Sequence, residues 1–129
     1  MQNSINIFSG KKILVAEDDE INQMLLNAVL TNWKINFTMV NNGKEAVETA
    51  LSSIFDIILL DIQMPILNGL EACIQIKKQQ SNFKTPIIAL SADKLNFTTD
   101  DILQYGFDDS LPKPIEIIDL KNILLKHLI

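Results

Sequence analysis

Short apolar runs alternate along the chain with longer amphipathic stretches. The short runs are Lys12 to Ala16, Asn36 to Val40, Asp56 to Leu60, Pro86 to Leu90 and Asp109 to Leu111. Between them, apolar positions recur at helical intervals. Glu20 to Asn32 places Ile21, Leu25, Ala28 and Val29 on one stripe. Gly43 to Ser52 places Ala46, Val47, Ala50 and Leu51 on another, and Leu70 to Gln79 places Leu70, Cys73, Ile74 and Lys77. Asn96 to Tyr105 is weaker; Ile115 to Ile129 is strong, with Ile117, Leu120, Leu124 and Leu128 in step.

This is a strand–helix pair repeated five times. It predicts an α/β fold, (βα)5, with a doubly wound parallel sheet and helices on both faces. The runs ILVA, DIILL and PIIAL do not alternate apolar with polar. Strands covered on both faces look like this. Pro112 cannot donate to a ladder, so the fifth strand belongs at an edge or ends near it.

Composition narrows the class. The chain has 129 residues, 47% of them hydrophobic, which fits one domain with one sizeable core. The division expected is a loose tail over 1–10 and a folded domain over 11–129. The net charge is −5 and every basic residue except His127 is Lys. That argues against nucleic-acid binding, which favours basic patches with Arg forks. Cys73 has no second cysteine to pair with and sits in an apolar stretch, so it reads as a core residue in a reducing compartment. No run reaches the roughly 18 apolar residues that a membrane span needs, and the start lacks signal-peptide character. The expected location is cytoplasmic, either as a free domain or as a cytoplasmic piece of a larger protein, with no membrane contact.

In open α/β sheets, ligands bind beyond the carboxyl ends of the strands. This chain places Glu17, Asp18 and Asp19 after strand 1, Asp61 at the end of strand 3, Ser91 after strand 4 and Lys113 after strand 5. Crowded carboxylates stay ionised only beside a cation. Hard oxygen ligands suit Mg²⁺, which takes one or two carboxylates and keeps several waters. Glu17, Asp18 and Asp61 form such a set, with the Lys113 amine balancing the remaining charge. A carboxylate beside a metal can also attack phosphorus, giving an aspartyl phosphate.

At this point the residues resemble a known family. ILVAEDDEIN, DIILLDIQMPILNGLEA, PIIALSAD and GFDDSLPKPI stand in the order and spacing of the receiver domain of two-component response regulators. The wording of the first two is most similar to receivers of hybrid histidine kinases. The resemblance implies a flavodoxin-like strand order of 2-1-3-4-5. It implies that Asp61 accepts a phosphoryl group from a phosphohistidine on a histidine kinase or a histidine phosphotransfer protein. Glu17 and Asp18 would hold Mg²⁺ together with Asp61, with Glu17 where the family more often has Asp. Gln63 would give its backbone carbonyl to the metal. Ser91 and Lys113 would each bond a phosphoryl oxygen, and the Lys113–Pro114 peptide would be cis. The domain would catalyse its own phosphorylation and dephosphorylation, and would not be a separate enzyme. Ser110 stands where active members often carry a switching Tyr or Phe, which puts the aromatic part of the readout in question.

Other readings stay open for single residues. Asp19 suits a helix cap, and Asn68-Gly69 a turn into the next helix. His127 reads as a surface residue and Trp33 as packing. A haloacid-dehalogenase-like phosphatase would also use a strand-end Asp and Mg²⁺, but it normally has a second Asp where this chain has Gln63. A flavodoxin-like electron carrier would need a hydroxyl- and Gly-rich loop where this chain has EDDE. A degenerate receiver that only docks a partner finds support in Ser110. Apolar residues on the last helix mark a candidate weak homodimer or partner face.

Overall fold

The computed structural model describes residues 7–79, 84–92 and 99–129. Five parallel strands form one sheet in the order β2-β1-β3-β4-β5. They are β1 (Lys12–Ala16), β2 (Asn36–Val40), β3 (Ile57–Asp61), β4 (Ile87–Ala92) and β5 (Asp109–Lys113). The helices between and after them are α1 (Glu20–Asn32), α2 (Gly43–Ser52), α3 (Gly69–Gln79), α4 (Thr99–Gln104) and α5 (Ile117–Leu128). Of the helix expected over Asn96 to Tyr105, residues 96–98 lie outside the described residues.

The sheet divides the core in two. Ile58 and Leu60 of β3 face α2 and α3, in a cluster with Leu14, Ala46, Cys73 and Ile76. Ile57 and Leu59 face the other way, toward Leu26 and Leu30 of α1 and Leu120 and Leu124 of α5. Successive side chains on a strand point to opposite faces, so burial on both sides requires a continuous apolar run. All five residues of β3 are buried. Its last residue, Asp61, therefore reaches the rim with almost no solvent exposure.

Several expectations shift. α1 buries Leu26, Val29 and Leu30, while Ile21 and Met24 are more than two-thirds exposed. The stripe read from the sequence was rotated because α1 is apolar on several sides. Likewise Ile117 of α5 and Ile74 of α3 face outward. Packing also begins ahead of Lys11, where a loose tail was expected: Phe8 is buried and its ring leans on Trp33 at 5.6 Å. His127 is not a free surface residue. Its Nε2 lies 3.0 Å from Asp109 Oδ2, an oxygen that Lys126 also reaches at 3.0 Å.

Candidate functional site

The carboxyl ends of β1, β3, β4 and β5 converge on one rim. Glu17 follows β1 directly, and its N–H donates to Val40 O on β2 at 3.1 Å. Asp61 and Lys113 are the last residues of β3 and β5. Ser91 lies inside β4, one residue past Leu90, the register partner of Asp61. β5 runs two residues beyond Leu111, where the sequence suggested its end, because Ala92 pairs with Lys113. That pairing carries the Lys113 amine to the rim. The Lys113–Pro114 peptide is cis, as expected.

Lys113 joins two buried carboxylates. Its Nζ donates to Asp61 Oδ2 at 2.8 Å. It also forms an ion pair with Glu17 Oε1 at 2.8 Å. Apart from this ion pair, Glu17 Oε1 is buried with no well-formed hydrogen bond. Glu17 Oε2 accepts from Asp19 N at 3.1 Å, and Asp61 Oδ1 accepts from Gln63 N at the same distance. Glu17, Asp18 and Asp61 each offer a carboxylate oxygen within 4.8 Å of the others. When all three are ionised, they face one ammonium, which leaves an excess of negative charge. An orphaned buried oxygen in an oxygen-only donor set fits a hard divalent cation. Asp18 is exposed and opens on a cleft of about 560 Å³ that Gln63, Met64, Pro65 and Asn68 also line.

Burial pushes the Glu17 carboxyl up to about 7; its ion pair with Lys113 opposes this, and the nearby Asp61 reinforces it. Burial works against the Lys113 ammonium too, but Asp61 and Glu17 outweigh it and raise its pKa. A carboxyl that binds its proton more tightly when folded destabilises the fold as it ionises. Without metal, stability is expected to fall as pH rises from the ordinary carboxyl value of 4.5 to about 7, and to level off above that. The drop should be about 3 kcal/mol. Urea melts in chelator would measure it, and Glu17→Gln should flatten the slope. A slope that persists in Glu17→Gln would assign it to another group.

Two helix starts hold the loop between β3 and α3. Gly69 N donates to Ile62 O at 2.8 Å, and Gly43 N donates to Leu67 O at 2.9 Å. A Cβ on Gly69 would lie 2.2 Å from Asp61 O, and one on Gly43 2.1 Å from Leu67 O. Between these anchors the chain makes a tight turn, with Leu67 N on Pro65 O at 2.7 Å and Ile66 at φ 70°. A β-branched residue is strained there. Asn68-Gly69 marks a turn in the sequence, whereas the contact of Gly43 with Leu67 carries no local signal. Asp19, as expected, caps α1, accepting from Asn22 N at 3.0 Å. Asn68 accepts from Glu71 N at 2.9 Å, at the start of α3. Cys73 is fully buried, and burial pushes its thiol up to about 12, so it is inert packing.

Known proteins share this arrangement. Residues 13–125 match the response regulator receiver domain model. Hybrid signal transduction histidine kinase I of Dictyostelium discoideum is 39% identical over 112 residues, 81% of this chain but 6% of that protein. The signal transduction histidine-protein kinase BarA of Escherichia coli K12 is 35% identical over 115 residues, 89% of this chain and 12% of that protein. The chain therefore spans a small part of these relatives. Among solved structures, the receiver domain of sensor histidine kinase PA1611 from Pseudomonas aeruginosa superposes with a TM-score of 0.85 at 35% identity. It covers 93% of this chain and 98% of that one, and carries a magnesium ion in its active site cleft. A chain from the co-crystal of the Saccharomyces cerevisiae histidine phosphotransfer protein Ypd1 with the receiver domain of Ssk1 gives 0.82 at 30% identity, covering 94% of this chain and 90% of that one. With the match running from β1 into α5 and the strand order in agreement, the chain belongs to the response-regulator receiver domain family.

Proposed function

We propose that residues 11–129 form a phosphoacceptor domain in which Asp61 takes a phosphoryl group from a phosphohistidine. The observation that carries this is the buried pairing of Asp61 with Lys113 beside the orphaned Glu17 Oε1. Glu17, Asp18 and Asp61 would hold Mg²⁺, with the Gln63 carbonyl as a further ligand. When bound, the ion would neutralise charge on the phosphoryl oxygens. An Asp61 carboxylate oxygen attacks phosphorus, and the nitrogen–phosphorus bond breaks. The imidazole nitrogen keeps the bonding pair and takes a proton. Lys113 stabilises one phosphoryl oxygen through the ammonium that now bridges Asp61 and Glu17. Ser91 would donate its hydroxyl to another. Water can later attack the same phosphorus, breaking its bond to the Asp61 oxygen and releasing inorganic phosphate, so the domain would catalyse both its own loading and its own discharge, without being a separate enzyme.

The donor would be a histidine kinase or a histidine phosphotransfer protein, met in the cytoplasm. Exposed apolar side chains flank the rim in support: Ile21 at the start of α1, Ile66 after β3 and Ile117 at the start of α5. The test is intact-mass spectrometry after incubation with phosphoramidate. One phosphoryl group should be added with Mg²⁺ and none with chelator. Addition that is indifferent to chelation would overturn the metal assignment.

Ser110 bears on the output. It is half-buried in β5, opposite Ala89, and lines a groove of about 380 Å³ with Pro112, Ile123 and Lys126. No ring stands at this position to follow Ser91 inward. Phosphorylation biases a two-state element only through contacts that differ between the states. Beryllofluoride is therefore expected to change amide-exchange protection in α5 modestly in the wild type and more in Ser110→Tyr. An equal change in both proteins would show that the missing aromatic does not limit the switch.

A further inference from the structure

Gln23, the fourth residue of α1, touches none of the three carboxylates, yet it ties down the main chain of one of them. Its side-chain nitrogen Nε2 donates to the carbonyl of Glu17 and, at 2.8 Å, to Asn41 Oδ1. A carbonyl can only accept, so the end of the amide that faces it must be the NH₂ group, and both of its hydrogens are used. Asn41 is held in turn by its own N–H on Glu45 Oε1 at 2.9 Å. One amide therefore links the end of β1, the first turn of α1 and the loop between β2 and α2.

The consequence falls on Glu17. A glutamate has one more rotatable bond than an aspartate, so its carboxylate is harder to hold at a fixed point. Here the N–H of Glu17 is bonded to Val40 O, its carbonyl to Gln23 and its Oε2 to Asp19 N. Only Oε1 is left without a hydrogen bond, facing Lys113 and the other acids. We propose that Gln23 is a positioning residue for the divalent-cation site, acting through the main chain of Glu17. This rests on the assignment of Glu17 as a metal ligand made above.

Gln23→Met keeps the length and helix preference of the side chain and removes both donors. Calorimetric titration with Mg²⁺, with no phosphodonor present, should show binding about tenfold weaker than wild type, as when a ligand's supporting partner is lost. Phosphorylation by phosphoramidate should need about tenfold more Mg²⁺ for half its maximal rate, with the rate at saturating Mg²⁺ within about twofold of wild type. Asn41→Ala removes only the loop-side acceptor and should weaken Mg²⁺ binding by less than about threefold. Equal Mg²⁺ affinity in wild type and Gln23→Met would overturn the inference. So would a lowered saturated rate with unchanged Mg²⁺ dependence, since that is the mark of a general structural defect. A wild-type chain that is neither bound by Mg²⁺ nor phosphorylated would instead overturn the assignment of Glu17, and this inference with it.

Discussion

Asp61→Asn should lower phosphorylation by phosphoramidate at least about 100-fold while leaving the fold intact. The amide matches the carboxylate in size and still accepts one hydrogen bond, so Lys113 keeps a partner at 2.8 Å reach. What is lost is the nucleophile. An amide oxygen is a poor nucleophile toward phosphorus at neutral pH, and the acyl phosphate cannot form from it. The other two carboxylates do not substitute. Glu17 is fully buried and drawn toward its protonated form, and Asp18 is exposed, away from the Lys113 contacts. Intact-mass spectrometry would read the modified fraction, and circular dichroism would confirm the fold. Modification of Asp61→Asn at the wild-type level would place the acceptor elsewhere in the chain.

The strands were legible because burial on both faces leaves an unmistakable run of apolar residues. β1, α1, β2 and α2 have the bounds that the sequence suggested. The end of β5 was not legible, because Pro112 signals a break while Pro112 and Lys113 still stand in register with Ser91 and Ala92 of β4. The buried side of α1 was not legible either. Ile21, Met24, Leu25, Leu26, Ala28, Val29 and Leu30 surround much of the helix, and the choice of face depends on the sheet beneath. Pattern reports that a helix is amphipathic only when one side is polar.

The site divides in the same way. Glu17, Asp61 and Lys113 could be gathered from the sequence because strand ends in a parallel sheet converge whatever the helices do. The supports could not. Gln23 meets Asn41, 18 positions on, and Gly43 meets Leu67, 24 positions on, through contacts that no local pattern encodes. The only sequence signal at Gly43 is a poor helix former at the first position of a helix.

Gly69→Ala is expected to damage both the fold and the site. The new Cβ would meet Asp61 O at 2.2 Å and the Ile62 Cα at 2.9 Å, and both are backbone atoms with no rotamer to give. The alternatives are to move α3 outward or to move the end of β3. α3 is fixed by Leu70, Ala72, Cys73 and Ile76 in the core, and β3 by pairing on both sides. Overpacking of this kind costs about 1–3 kcal/mol, and here the bond from Gly69 N to Ile62 O is strained as well. We expect a loss of about 3 kcal/mol in urea melts. Under conditions where the variant remains folded, phosphorylation should still be slower by at least about tenfold, because the displaced backbone belongs to Asp61 itself. Gly106→Ala supplies the contrast. Gly106 has φ +103°, but a Cβ there would meet only side-chain atoms at ordinary contact distance, Lys77 Cδ at 3.4 Å and Cys73 Sγ at 3.6 Å. It should lose about 1 kcal/mol from backbone strain alone. Its phosphorylation rate should match wild type. Equal rates in wild type and Gly69→Ala would mean that the contact with Asp61 supports the fold and not the chemistry.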